Sequence, residues 1–152
     1  MPAVVFYDVV KWLHITAVVA AFGPLFAYPV LLAVAAKAPV GQRAFLHRAQ
    51  IEVSKKITGP VIGVILLAGI YLATDRELWS RFYVIAAFVL LVVIAGLGAT
   101  ILRRNEERLV ELADAGDEAG YAGALPTLRL WTMLTIALVV LTIYLMTAKP
   151  FA

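Results

Sequence analysis

Two histidines, one methionine and a set of lysines and arginines are the side chains of this 152-residue sequence whose types and spacing could do chemistry. His14 stands in the run Lys11-Trp12-Leu13-His14-Ile15-Thr16, and from Trp12 to Ala36 it is the only Asp, Glu, Lys, Arg or His. An imidazole in so apolar a segment is costly unless it meets a partner, water or a metal. Its chemistry would be that of an axial ligand to haem iron, a ligand to copper or another metal, or a proton relay. The spacing predicts His14 near the outer end of the first helix, one turn below Lys11, at the depth of Tyr71, Arg81, Tyr83, Tyr144 and Met146. Met146 is a soft thioether, suited to copper or to a weak second axial position on haem.

His47 lies in Arg43-Ala44-Phe45-Leu46-His47-Arg48 and reads as a solvated residue of a basic surface. That places it most of a membrane away from His14, so the two histidines of one chain are not expected to share a haem. Arg43, Arg48, Lys55 and Lys56 read as snorkelling cations that hold anionic lipid head groups. The sequence contains no cysteine, which excludes disulfides, thiolate zinc sites and thiol catalysis. No nucleophile–histidine–acid set or phosphate loop occurs, and no catalytic residue is assigned. The apolar runs hold no Asp or Glu, which argues against a proton-coupled carrier, because such carriers place a carboxylate at mid-depth.

The elements that must position these residues follow from the composition. The chain is 63% hydrophobic and 15% charged, against roughly 45–50% and about 25% for soluble domains. Four apolar runs, about 12–36, 57–74, 82–102 and 130–148, have the length of membrane-spanning helices. The expected fold is therefore all-α: a single integral membrane domain over 1–152, built as an antiparallel bundle of four transmembrane helices. The first run is too long for a leader h-region and is interrupted by Gly23-Pro24 and Pro29, so no cleavable leader is expected.

Orientation follows from the cations. Lys37, Arg43, Arg48, Lys55 and Lys56 lie in the first connection, and Arg103, Arg104, Arg108 and Arg129 in the third. Lys11, Arg76, Arg81 and Lys149 lie on the opposite side. The positive-inside rule puts loops 37–56 and 103–129 in the cytoplasm and both termini outside. Tyr7, Trp12, Tyr71, Trp79, Tyr83, Tyr144 and Phe151 then mark the outer interface and Trp131 the inner one. Helical extensions are expected over 42–56 and 103–113, then a flexible loop through Gly116, Gly120 and Gly123, with Pro126 in the first turn of the fourth helix. Strips of small residues, Thr16/Ala20/Gly23/Ala27, Gly59/Gly63 and Ala95/Ala99, are expected to face the bundle interior.

Taken as a whole, the chain resembles a family of bacterial four-helix integral membrane proteins of no established activity, grouped with the CopD-like membrane domains. Leu13-His14, Phe22-Gly23, Ile57-Thr58-Gly59-Pro60, Ala68-Gly69-Ile70-Tyr71-Leu72, Arg103-Arg104, Arg129-Leu130-Trp131 and the ending Tyr144–Pro150 carry that resemblance. It implies a location in the bacterial inner membrane. The first helix alone, Lys11-Trp12-Leu13-His14 with Val18-Val19, Phe22, Leu25-Phe26 and Tyr28, is similar to the opening of HemJ-type membrane proteins. That similarity implies haem b at His14. The chain departs from the HemJ pattern at Ala21, where a tryptophan is expected, and in having no lysine in the third run. Cofactor binding is thus implied more directly than oxidase activity.

Three functions are consistent with these features. The expected one is a small multi-pass membrane protein, not an enzyme, acting through lipid or partner contacts, with the lipid bilayer and either a homodimer or another membrane protein as partners and no nucleic acid. The alternative is a haem-binding or redox protein with His14 as ligand, and the third is a small metal or solute permease.

Overall fold

The computed structural model describes residues 2–150, with side chains from residue 5; the predicted interfacial Phe151 lies outside the described residues. Four long apolar rods make the fold, and no strand occurs among the described residues. The first is α1, Pro2–Lys37. The second runs from α2, Val40–Val53, through a π-helical turn at Ser54–Thr58 into α3, Gly59–Asp75. The third runs from α4, Phe82–Leu97, through a second π-helical turn at Gly98–Leu102 into α5, Arg103–Asp114. The fourth is α6, Glu118–Ala148. Each rod is long and apolar enough to cross a membrane, and the protein is an all-α four-helix bundle.

Local chemistry explains the joints. Pro24 and Pro29 remove donors inside α1 without ending it, as neighbouring helices permit in lipid. The Thr58 hydroxyl donates to the Ala21 carbonyl at 3.5 Å, beside the turn that Pro24 weakens. At the link between α3 and α4, Glu77 takes a left-handed conformation (φ 53°), and the Trp79 indole N–H donates to the Thr74 hydroxyl at 3.1 Å. At the link between α5 and α6, Gly116 supplies φ 68°, a conformation that suits a residue without Cβ. Asp117 caps α6 by accepting from the Gly120 N–H at 2.8 Å. The fourth helix therefore begins well before the predicted glycine loop ends. Gly120 and Gly123 are helical, and Pro126 lies inside α6 rather than in its first turn.

The buried side chains form three clusters along the bundle. Ala73, Tyr83, Val84 and Leu145 make the one beside the link between α3 and α4. Ala17, Ala21, Phe22, Ile65, Leu91, Ile94 and Val139 make the middle one. Tyr28, Leu32, Ala44, Leu109, Ala113, Tyr121, Leu125 and Leu128 make the third, where α2 and α5 close over the inner ends of α1 and α6. Large apolar side chains on the outside, such as Val19, Leu67, Val92 and Leu130, are 63–70% exposed. That pattern is what lipid as solvent requires.

The interior face of α1 differs from the expected one. Ala17, Ala21, Tyr28 and Leu32 point inward, while Thr16, Ala20, Gly23 and Ala27 point outward. The inward face is displaced by one residue because the larger Phe22, Tyr28 and Leu32 compete for the interior more strongly than the small residues do. Ala95, Ala99 and Gly59 line a cavity instead of closing a helix contact.

Candidate functional site

His14 lies a little over three turns into α1. Its Nδ1–H donates to the Ile65 carbonyl of α3 at 3.1 Å, and the ring lines a cavity with Leu91 of α4 and Val139 of α6. Ile65, Leu91 and Val139 lie near the centres of the other three predicted spans, whereas Gly69, Phe88, Met146 and Thr147 of the same cavity lie toward the ends nearest the link between α3 and α4. α1 begins well ahead of its charge-free stretch, so His14 lies about a third of the way along the helix rather than at its terminus. Of the residues expected at its depth, Met146 lines the same cavity, whereas Tyr71, Arg81, Tyr83 and Tyr144 do not.

The cavity occupies about 400 Å³ between α1, α3, α4 and α6. Its walls are apolar except for His14, Thr142 and Thr147, and both threonine hydroxyls are bonded to carbonyls of their own helix at 2.8 Å. Gly69 makes room for the imidazole: a Cβ there would lie 3.3 Å from His14 Cε1. Because a carbonyl can only accept, Nδ1 carries a proton in this arrangement, and neutral His14 keeps its lone pair on Nε2. Orientation by a backbone carbonyl is the usual arrangement for a metal-ligating histidine. No group of three or more His, Cys, Asp or Glu residues able to hold a metal ion occurs among the described residues.

His47 corrects the expectation of a solvated residue. It is fully buried, and four helices meet around it. Its Nδ1–H donates to Glu106 Oε2 at 2.6 Å, and the Tyr121 hydroxyl meets its Nε2 at 2.7 Å. The Tyr28 hydroxyl donates to Glu106 Oε1 and lies 3.4 Å from His47 Nδ1. Arg43 stacks over the Tyr121 ring at 4.9 Å. The two oxygens of Glu106 and the two nitrogens of His47 all have partners, so the network holds α1, α2, α5 and α6 together.

Sequence reasoning missed Glu106 because it lies past the third apolar run, among charged residues. The available signal was its helical register with Leu102, Leu109 and Ala113, a stripe that the structure packs inward.

The four cations expected at lipid head groups have distinct settings. Arg43 also bonds the Ala38 carbonyl at 2.7 Å, Arg48 pairs with Asp114, and Lys56 pairs with Glu52 at 2.7 Å. Lys55 lines a second cavity, of about 450 Å³, which reaches from Ala21 and Phe22 to Tyr28 and Glu106.

These features define a class: a multi-pass membrane protein, built as an all-α bundle with one largely apolar cavity beside His14 and another beside Lys55 and Glu106. No family model, curated protein or solved structure matches the chain.

Proposed function

We propose that this chain is a haem-binding protein of the bacterial inner membrane, with both termini outside and His14 as the residue that would hold the group. The observation that carries the reading is the tethered imidazole: Nδ1–H is bonded to the Ile65 carbonyl, and the ring forms part of an otherwise apolar cavity. A single imidazole with one thioether is a smaller donor set than protein zinc or blue-copper sites use. A haem brings most of its iron's ligands with it and would need only one or two from the protein. The residues present fit such a group through His14, with Met146 on the same cavity wall as a second donor. When bound, the group would supply one-electron or ligand-binding chemistry. The chain's own part is to orient one imidazole, exclude water with apolar walls, and leave space at Gly69 for the ring.

Haem titration of the protein purified in detergent tests this. The expected result is a saturable Soret band at about one haem per chain, lost in His14→Ala and retained in His47→Ala. A protein that stays colourless after haem-replete expression and titration would return the function to lipid or partner contacts alone. Uptake into proteoliposomes by a colourless protein would make it a permease.

A further inference from the structure

We propose that the second cavity binds an amphiphile with an anionic head group and an apolar tail. The inference is independent of His14. The two π-helical turns, Ser54–Thr58 and Gly98–Leu102, both line this cavity. A π-turn inserts a residue into a helix and widens it locally, and such turns concentrate at functional sites. Here two of them border one opening between rods, and its volume of about 450 Å³ falls in the ~300–1,000 Å³ range of small-molecule sites.

Polarity is graded along the cavity. Phe22, Leu25, Ile62 and Ile94 form its deep walls. At about 1.5 Å per residue, Lys55 lies roughly 15 Å from the level of Ile65, and Arg103 roughly 18 Å from that of Leu91. The hydrocarbon of one leaflet is about 15 Å thick, so both cations sit where lipid head groups begin. Lys55 forms no hydrogen bond or ion pair among the described residues. Arg103 uses only its Nε, toward Glu107 at 3.0 Å, which leaves the terminal guanidinium N–H groups for a ligand. The Glu106 oxygens at the cavity's end are occupied by Tyr28 and His47, so this carboxylate is already committed. An acidic head between Lys55 and Arg103, with its tail along Phe22 and Ile94, satisfies both halves of the cavity. A cation would meet two like charges at the entrance, and a small hydrophilic anion would leave the apolar wall unused.

The experiment is equilibrium binding of fluorescent phosphatidylglycerol to the full chain in detergent, with phosphatidylcholine, oleate and inorganic phosphate as competitors. Lys55→Gln/Arg103→Gln is expected to weaken phosphatidylglycerol at least tenfold. Ala99→Leu, which narrows the cavity and leaves both charges, should weaken it as well. Competition by oleate that depends on the same two cations would assign the source to a free carboxylate amphiphile and also support the proposal. Equal affinity for phosphatidylcholine, undiminished binding in a folded double variant, or competition by inorganic phosphate as strong as that of oleate would overturn it. Helical content by circular dichroism distinguishes a folded variant from an unfolded one.

Discussion

Replacing Glu106 with alanine removes the acceptor from two buried donors at once, the Tyr28 hydroxyl and His47 Nδ1–H. Glu106 is 4% exposed and His47 is fully buried, so water cannot readily replace the lost partner. Each orphaned buried donor costs about 1–3 kcal/mol, so the two together set a loss of roughly 2–6 kcal/mol for Glu106→Ala. Glu107→Ala is the internal control. Glu107 pairs with Arg103 on the surface of the same helix, and such an exposed i,i+4 pair contributes about 0.5 kcal/mol or less. The assay is reversible unfolding in mixed micelles, followed by circular dichroism during titration with denaturing detergent. A His47→Ala/Glu106→Ala double-mutant cycle should return a coupling of about 2 kcal/mol or more, toward the upper end for neighbouring groups. Equal effects of Glu106→Ala and Glu107→Ala would refute the claim that this network joins α1, α2, α5 and α6.

Two further outcomes are expected. Thr132 Oγ1 is buried without a hydrogen-bond partner among the described residues, so Thr132→Val, which exchanges the hydroxyl for a methyl of similar size, should stabilise the protein by about 1 kcal/mol in the same titration. The sequence contains no cysteine, so single cysteines report sidedness without a background. Glu77→Cys, in the link between α3 and α4, should react with a membrane-impermeant maleimide in intact cells. Asp117→Cys, in the link between α5 and α6, should react only after lysis, and the reverse pattern would invert the proposed topology.

The span count, the all-α class and the membrane as solvent were legible in the sequence because they depend on sums over many residues. Apolar runs of spanning length, with few charges, admit little else. His14 was also visible as a candidate, since one imidazole in an apolar helix stands out in a linear reading. Its partners on the other helices were not visible. A run of uncharged residues shows where a helix can enter lipid, while the register of α1 against Ile65, Leu91 and Val139 is set by packing among four helices. His47 and Glu106 show the limit most clearly. Each sits in a charged stretch that reads as solvated surface, and they are far apart along the chain. Only the folding of α2 and α5 over the inner ends of α1 and α6 removes them from water and makes each the condition for burying the other.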